Sequence, residues 1–187
     1  MKEIVKSRVL ESIQVKEETL KNNADVVVRM AEGIAKSLKN NGKVLFFGNG
    51  GSAAHSQHIA AEFIGRFQKE RKSLSAIALT TDTSILTALS NDYGFDIVFA
   101  RQIEGLGRPG DIAFAISTSG NSKNVLEAVK KAKTMGLKVF SFTGCGGGKL
   151  APLSDLSLVV SSNNTARIQE SHICFAHIIC ELVENNL

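Results

Sequence analysis

The chain has 187 residues, of which 43% are hydrophobic and 21% are charged. This length and this balance fit one globular domain and exclude a disordered chain or a coiled-coil rod. The formal net charge of +4 is mildly basic, but the lysines and arginines are scattered along the chain, so we expect no nucleic-acid partner.

The N-terminus and the cysteines both indicate a cytoplasmic protein. Residues 1–18 carry charges throughout and contain no apolar core of a signal peptide. The apolar runs are too short to span a bilayer, so we expect no membrane partner. Cys145, Cys174 and Cys180 have no framework spacing, which favours reduced thiols.

The chain opens with two helical patterns. Apolar residues recur at helical spacing over residues 2–22 and 24–40, and Asn40-Asn41-Gly42 is typical of a helix end. Two such helices carry more apolar surface than one small sheet can cover. We therefore expect residues 1–41 to form a helical extension that packs on the core and on neighbouring subunits of a homo-oligomer.

Five short apolar runs alternate with helical segments through the rest of the chain. The predicted strands are Val44–Phe47, Ala76–Leu79, Ile112–Ile116, Val139–Phe142 and Leu156–Val160. The predicted helices are residues 53–67, 83–91, 95–106, 122–135 and 166–184. Strands that are apolar on both faces and alternate with helices predict a parallel sheet covered on both sides. The expected fold is a three-layer αβα sandwich in a single domain, residues 1–187.

A hydroxyl-rich loop follows the third predicted strand. It reads Ser117-Thr118-Ser119-Gly120-Asn121-Ser122 and leads directly into a helix. Small hydroxyl side chains and free backbone amides at a helix N-terminus suit an anionic phosphate. A helix N-cap needs only one such residue, so five polar residues in six favour phosphate binding over simple capping.

A glycine-rich loop, GNGGS at residues 48–52, follows the first predicted strand. It is not a Walker P-loop, because no Lys-Ser/Thr pair follows it. It also departs from the Rossmann pattern, since Ala53 takes the third glycine position and no acidic residue ends the second strand. A compact phosphorylated ligand is therefore favoured over a nucleotide.

GNGGS and ISTSGNS together resemble the sugar-isomerase (SIS) domain family from about Lys43 to the C-terminus. Within that family the chain is most similar to the bacterial phosphoheptose isomerases. The resemblance implies five parallel strands between helices and a sugar phosphate held by the serine loop. It also implies a homotetramer whose sites are shared between subunits. The implied reaction converts sedoheptulose 7-phosphate to D-glycero-D-manno-heptose 7-phosphate, the first step towards the heptoses of lipopolysaccharide or another surface glycan.

The resemblance also implies roles for individual residues. The residues implied to bind substrate are Asn49, Gly50, Gly51, Ser52, Glu62, Asn91, Asp92, Ser117, Thr118, Ser119, Ser122 and Gln169. One zinc ion per subunit is expected on His58, Glu62, Gln169 and His177. Glu62 is the expected base at carbon, and His177 is expected to move protons on the sugar oxygens or to assist ring opening.

The spacing of the expected zinc ligands favours a shared site for His58 and Glu62 but not for Gln169 and His177. His58 and Glu62 are four positions apart, so they share one face of a helix that follows GNGGS. Gln169 and His177 are eight positions apart, about 12 Å by helical rise. Either Gln169 precedes the regular helix or the two residues come from different subunits. His172 is ranked below His177 on the resemblance alone.

Three other functions remain open at this point. SIS proteins that associate with the bacterial replication initiator share the serine loop and the stretch of residues 166–170, and they act as non-catalytic tetramers. The presence of His58, Glu62 and His177 favours an enzyme over such a regulator. An isomerase of another ketose phosphate would look much the same, whereas arabinose-phosphate isomerases usually carry an additional regulatory region. The role of Arg167 also stays open between attraction of the phosphate and a structural ion pair with Glu170 or another carboxylate.

Overall fold

Five parallel strands form the centre of the fold in this computed structural model, which describes all of residues 1–187. The strands are β1 (Val44–Gly48), β2 (Ala76–Ala78), β3 (Ile112–Ser117), β4 (Lys138–Thr143) and β5 (Leu156–Val159). They lie in the order β2-β1-β3-β4-β5, and every neighbouring pair is parallel. The predicted five-stranded parallel sheet is confirmed.

Six helices cover the two faces of this sheet. They are α1 (Lys2–Lys39), α2 (Gly51–Ile64), α3 (Thr83–Tyr93), α4 (Val98–Leu106), α5 (Lys123–Thr134) and α6 (Thr165–Asn185). Alternate strand residues point to opposite faces, so Phe46 packs under α1, α2 and α6 whereas its neighbour Phe47 packs under α4 and α5. The result is the expected three-layer sandwich with one apolar core on each face.

α1 is one continuous helix of 38 residues, so the predicted division at residue 23 is wrong. Asn23 lies inside the helix, where its side-chain amide donates to the carbonyl of Thr19 at 2.8 Å. The same amide group also exchanges hydrogen bonds with the backbone of Val159 in β5, at 3.3 and 3.4 Å. Thr19 accepts a further hydrogen bond from the amide of Ser161 at 3.1 Å. A polar residue that sequence patterns place at a helix end therefore joins α1 to β5.

The N-terminal part of α1 carries exposed apolar side chains. Ile4, Val5, Val9 and Leu10 are each more than half exposed. Helix α3 likewise buries none of its residues. The surplus apolar surface anticipated from the sequence is therefore present on the single chain. None of the helices carries an apolar stretch of the length that a bilayer crossing requires.

Candidate active site

The two phosphate-loop candidates lie side by side. GNGGS leaves the carboxyl end of β1, STSGNS leaves the carboxyl end of β3, and these strands are hydrogen-bonded neighbours. The chain passes from β1 outward to β2 on one side and continues through β3 on the other, so the strand order reverses between β1 and β3. Open α/β sheets bind ligands at such a reversal point.

The serine loop, residues 117–122, holds its hydroxyl groups close to one another. Oγ of Ser117 and Oγ of Ser122 lie 3.1 Å apart, and Oγ of Ser119 accepts from the amide of Asn121 at 3.1 Å. Ser122 occupies the N-cap position of α5, yet its side chain makes no capping hydrogen bond to that helix. The first-turn amides of α5 therefore have no side-chain cap, which leaves them available to an anion.

A second glycine-rich loop, residues 143–148, packs against the serine loop. The amide of Gly144 donates to the carbonyl of Thr118, and the amide of Lys149 donates to the side chain of Asn121. Gly120 has a φ of +63°, and a Cβ there would collide with the carbonyl of Gly147. Residues 143–148 therefore form a backbone support for the serine loop.

A pair of asparagine side chains joins the GNGGS loop to α5. The amides of Asn49 and Asn124 exchange two hydrogen bonds, each of 2.9 Å. Asn124 is buried, with 3% of its surface exposed, and sequence reasoning did not select it. The sequence gives little indication of this role, because the partner of Asn124 lies 75 positions away in the chain. The pair sets the distance between the two loops.

Three donor side chains converge further along α2. His58, Glu62 and His177 each offer a ligand atom, and these atoms lie within 4.8 Å of one another. Nε2 of His58 lies 2.9 Å from Nε2 of His177 and 3.4 Å from Oε1 of Glu62. Two ligands on one tetrahedral zinc ion, with bonds near 2.05 Å, would lie about 3.3 Å apart. The donor types and their spacing therefore fit a metal ion.

The surroundings of this three-residue cluster are partly apolar. The ring of Phe67 stacks on His177, with ring centroids 5.5 Å apart. Half-buried His55 lies one turn before His58, and its Nδ1 is buried with no hydrogen-bond partner. Burial, with the neighbouring rings of His58 and His177, lowers the pKa of His55 from its ordinary value. His58 remains 48% exposed on its side chain, so the cluster is open to solvent on one side.

Gln169 packs at the other end of α2 from Glu62. It lies inside the regular helix α6, which begins at Thr165, and its side chain packs against Gly51 at the start of α2. His58 is seven residues after Gly51, about 10 Å along the helix axis. The possibility that Gln169 precedes the regular helix is therefore wrong. The other alternative, a Gln169 supplied by a neighbouring subunit, stays a prediction.

Other predicted residues have simpler surroundings. Asn91 and Asp92 lie exposed near the end of α3, and their side chains bond to each other at 2.9 Å. His172 is buried and bonds the carbonyl of Thr143 at 3.0 Å, so His177 rather than His172 lies beside His58. Arg167 pairs with Glu170 at 2.9 Å, which favours the structural alternative for that arginine.

Comparison with known proteins adds independent evidence. Residues 10–144 match the model of the SIS domain family. Phosphoheptose isomerase of Roseiflexus sp. is 56% identical over 94% of this chain and 89% of its own length. Phosphoheptose isomerase of Aquifex aeolicus is 55% identical over 98% of this chain and 96% of its own length. The chain belongs to the phosphoheptose isomerase family.

The fold agrees with solved structures of that family. Phosphoheptose isomerase from Neisseria gonorrhoeae superposes with a TM-score of 0.93, at 48% identity and with 98% of each chain covered. The corresponding enzyme from Francisella tularensis gives a TM-score of 0.94 at 39% identity. These relatives are named as isomerases. The resemblance inferred from GNGGS and ISTSGNS is confirmed, and membership of this family favours an enzyme over a non-catalytic regulator.

Proposed function

We propose that this protein isomerises sedoheptulose 7-phosphate to D-glycero-D-manno-heptose 7-phosphate, the first step of heptose supply for a surface glycan. The observation that carries the proposal is the combination of two features on one helix. Helix α2 begins at the phosphate loops and carries His58 and Glu62 of the three-donor cluster. One feature would hold the phosphate, and the other would act on the carbonyl end of the sugar.

The reaction moves a proton between C1 and C2 through an enediol. It needs a base at carbon and a proton carrier at the sugar oxygens. Glu62 is the proposed base: one of its oxygens faces His58, and its side chain is 22% exposed, within reach of a ligand in the open side of the cluster. His177 is the proposed proton carrier between O1 and O2, held in orientation by the stacked ring of Phe67.

Zinc is the proposed metal, held by His58, Glu62 and His177 together with Gln169 of a neighbouring subunit. When bound, it would supply Lewis-acid polarisation of the carbonyl and hydroxyl oxygens. The same carboxylate cannot serve fully as ligand and as base, because a bound cation lowers its basicity. The orientation of His177 by Phe67 and the opening beside His58 do not depend on which role of Glu62 dominates.

A homotetramer with shared sites is the proposed assembly. The exposed apolar residues of α1 and the unburied helix α3 support an interface between copies. The separation of Gln169 from His177 within one chain supports the sharing of residues between subunits. Asn91 and Asp92 are proposed to reach the substrate across such an interface, since both are exposed and their side chains hydrogen-bond to each other rather than to another site residue.

The test is incubation of purified, metal-analysed protein with sedoheptulose 7-phosphate, followed by NMR detection of the heptose 7-phosphate. We expect turnover by the wild-type protein and its collapse in Glu62→Gln and His177→Gln. Glu181→Gln is the matched control, because Glu181 lies exposed on the same helix as His177. Absence of turnover with and without zinc, on this and other ketose phosphates, would overturn the proposal in favour of a binding platform.

A further inference from the structure

A buried ion pair joins the two helices that carry the three-donor cluster. Nε of Arg71, in the segment after α2, lies 3.0 Å from Oε1 of Glu184, near the end of α6. The side chains are 14% and 2% exposed. A buried ion pair is weak evidence for stability by itself, since desolvation offsets much of the attraction. Its position and its other hydrogen bonds therefore decide what it does.

Glu184 organises the backbone of the segment that follows α2. Its two oxygens accept from the consecutive amides of Phe67, Gln68 and Lys69 at 2.8, 2.9 and 3.0 Å. Burial alone would raise the pKa of Glu184, but these amide hydrogen bonds and Arg71 together lower it below its ordinary value. The carboxylate is therefore ionised at neutral pH, and it holds the segment against α6.

Arg71 closes the C-terminal end of α2. Its Nη2 donates to the carbonyl of Glu62 at 2.7 Å, and its Nη1 donates to the carbonyls of Phe63 and Gly65 at 2.9 and 3.1 Å. The last carbonyls of a helix have no partner within the helix, so a guanidinium that binds several of them acts as a cap. The first of these carbonyls belongs to Glu62, a member of the cluster.

The segment that Glu184 holds also reaches the third member of the cluster. Phe67, whose amide donates to Glu184, stacks its ring on His177 at an interplanar angle of 28°. Glu184 itself lies seven residues after His177, which is about two turns along the same face of α6. One ion pair thus contacts the backbone of Glu62 directly and the ring of His177 through Phe67.

We propose that Arg71 and Glu184 are positioning residues that hold the donors of α2 and α6 at ligand distance from one another. This inference rests on the proposed function insofar as the cluster binds a metal ion. Loss of the pair would free the end of α2 and the ring of Phe67, so that Glu62 and His177 would sample more orientations. Metal affinity would fall while the sheet and its two cores stay intact.

The test compares Glu184→Gln and Arg71→Lys with wild type by titration of the metal-free protein with Co²⁺, followed by its visible absorption. Glutamine cannot accept from all of the amides, and lysine cannot cap several carbonyls at once. We expect the Kd for Co²⁺ to rise about tenfold or more in both, the size typical of lost outer-shell support. Wild-type affinity and spectrum in both variants, well below their Tm, would overturn the inference.

Asp111→Asn is the matched control for a merely structural effect. Asp111 is also buried, accepts from the amides of Lys43 and Arg108 at 2.9 Å, and pairs with the ammonium of Lys43. It directly precedes β3 and lies at the amino ends of the strands, whereas the two loops lie at their carboxyl ends. We expect this variant to lose stability as Glu184→Gln does, but to keep its Co²⁺ affinity. An equal loss of Co²⁺ affinity in Asp111→Asn would mean that the Arg71–Glu184 pair only stabilises the fold, and it would overturn the positioning role.

A metal-independent measurement separates this inference from the proposed function. The chain has four histidines, so the ring protons of His177 are resolvable by NMR in the metal-free protein. The stacked ring of Phe67 shifts these protons upfield in wild type, and we expect the shift to shrink in Glu184→Gln and Arg71→Lys. If wild type bound no metal, the proposed zinc site would fail, and an unchanged shift would overturn the positioning role separately.

Discussion

Three hydroxyl groups of the serine loop form hydrogen bonds within the loop itself. Ser122 pairs with Ser117, and Ser119 accepts from a backbone amide of its own turn. This arrangement fixes the positions of the hydroxyls before an anion arrives. An anion that displaces these contacts gains charge-assisted hydrogen bonds without first ordering the loop.

Ser119→Ala combined with Ser122→Ala tests this arrangement. We expect substrate binding to weaken by about 1 kcal/mol or more for each lost bond to the anion, with little change in folding. The measurement is KM for the sugar phosphate, or its Kd by calorimetry. Ser73→Ala is the control, because Ser73 is exposed and lies outside the loop. An unchanged affinity in the double variant would contradict the phosphate seat.

Asn124→Ala tests the amide pair that joins the two loops. The substitution leaves the amide of Asn49 without its partner in a part-buried place, at a cost of about 1–3 kcal/mol in the free energy of unfolding. We also expect a higher KM, because Asn49 and the GNGGS loop lose their fixed distance from the serine loop. Urea unfolding and steady-state kinetics measure the two effects. Asn163→Ala, at an exposed position, should change neither.

The placement of a functional side chain could be predicted where it depends on residues nearby in the chain. The four-residue spacing of His58 and Glu62 places both on one helix face, and the structure has them there. Asn124 and Arg71 could not be selected, because their partners are 75 and 113 positions away. Neither residue type has a local pattern that indicates a long-range partner, so only the tertiary fold reveals their roles.

At the scale of elements, helix α6 is attached to the sheet by a buried histidine. Nε2 of His172 donates to the carbonyl of Thr143 at the end of β4, and its ring stacks on Phe142 with centroids 5.4 Å apart. Burial lowers the pKa of His172 to about 4, with the hydrogen bond to Thr143 acting in the opposite direction and His55 adding to the lowering. The folded protein therefore keeps this ring neutral at mildly acid pH.

This histidine predicts a pH dependence of stability. The unfolded chain protonates His172 near its ordinary pKa of 6.5, whereas the folded chain does so only near 4. Stability is thus fully present above pH 6.5 and falls as the pH drops towards 4, by at most about 3 kcal/mol. Urea unfolding at several pH values measures the effect. His172→Gln, which keeps a donor for Thr143, should flatten this part of the profile, and an equally steep profile in the variant would contradict the assignment.

Element boundaries show the limit of pattern reasoning. All five predicted strands are present within one or two residues, because apolar runs between turn residues carry a strong local signal. The division of α1 was wrong because the helical pattern is the same on both sides of Asn23, and the role of that side chain is set by Val159 in β5. Local propensity does not show whether Asn23 ends a helix or lies within one, and its partner in β5 is 136 positions away in the chain.

At the scale of the whole molecule, the arrangement of donors divides the proposed site into two parts. His58, Glu62 and His177 come together within one chain, whereas Gln169 packs at the start of α2. A sequence pattern cannot show which copy of the chain supplies a given ligand. Gln169 and His177 lie eight positions apart in one regular helix, about 12 Å by helical rise, so we expect a neighbouring subunit to supply Gln169.

Subunit complementation tests this expectation. We expect Gln169→Ala and His177→Gln each to be inactive alone, and their mixed oligomers to regain activity at sites that pair an intact Gln169 with an intact cluster. The measurement is turnover after co-refolding, with native mass spectrometry to verify mixing. Glu62→Gln mixed with His177→Gln is the control and should stay inactive, because both residues belong to one chain's cluster. Mixed oligomers without recovered activity in the first pair would contradict a shared site.

The bonds from Thr19 and Asn23 to β5 have a consequence for how the protein behaves in a crowded solution. An outermost strand with free amides and carbonyls is a template on which other chains can add strands and aggregate. Val159 and Ser161 instead have partners on α1. The long first helix therefore protects this border of the sheet against intermolecular strand pairing. A chain that lacks residues 1–23 would lose both Thr19 and Asn23, and we expect it to aggregate more readily.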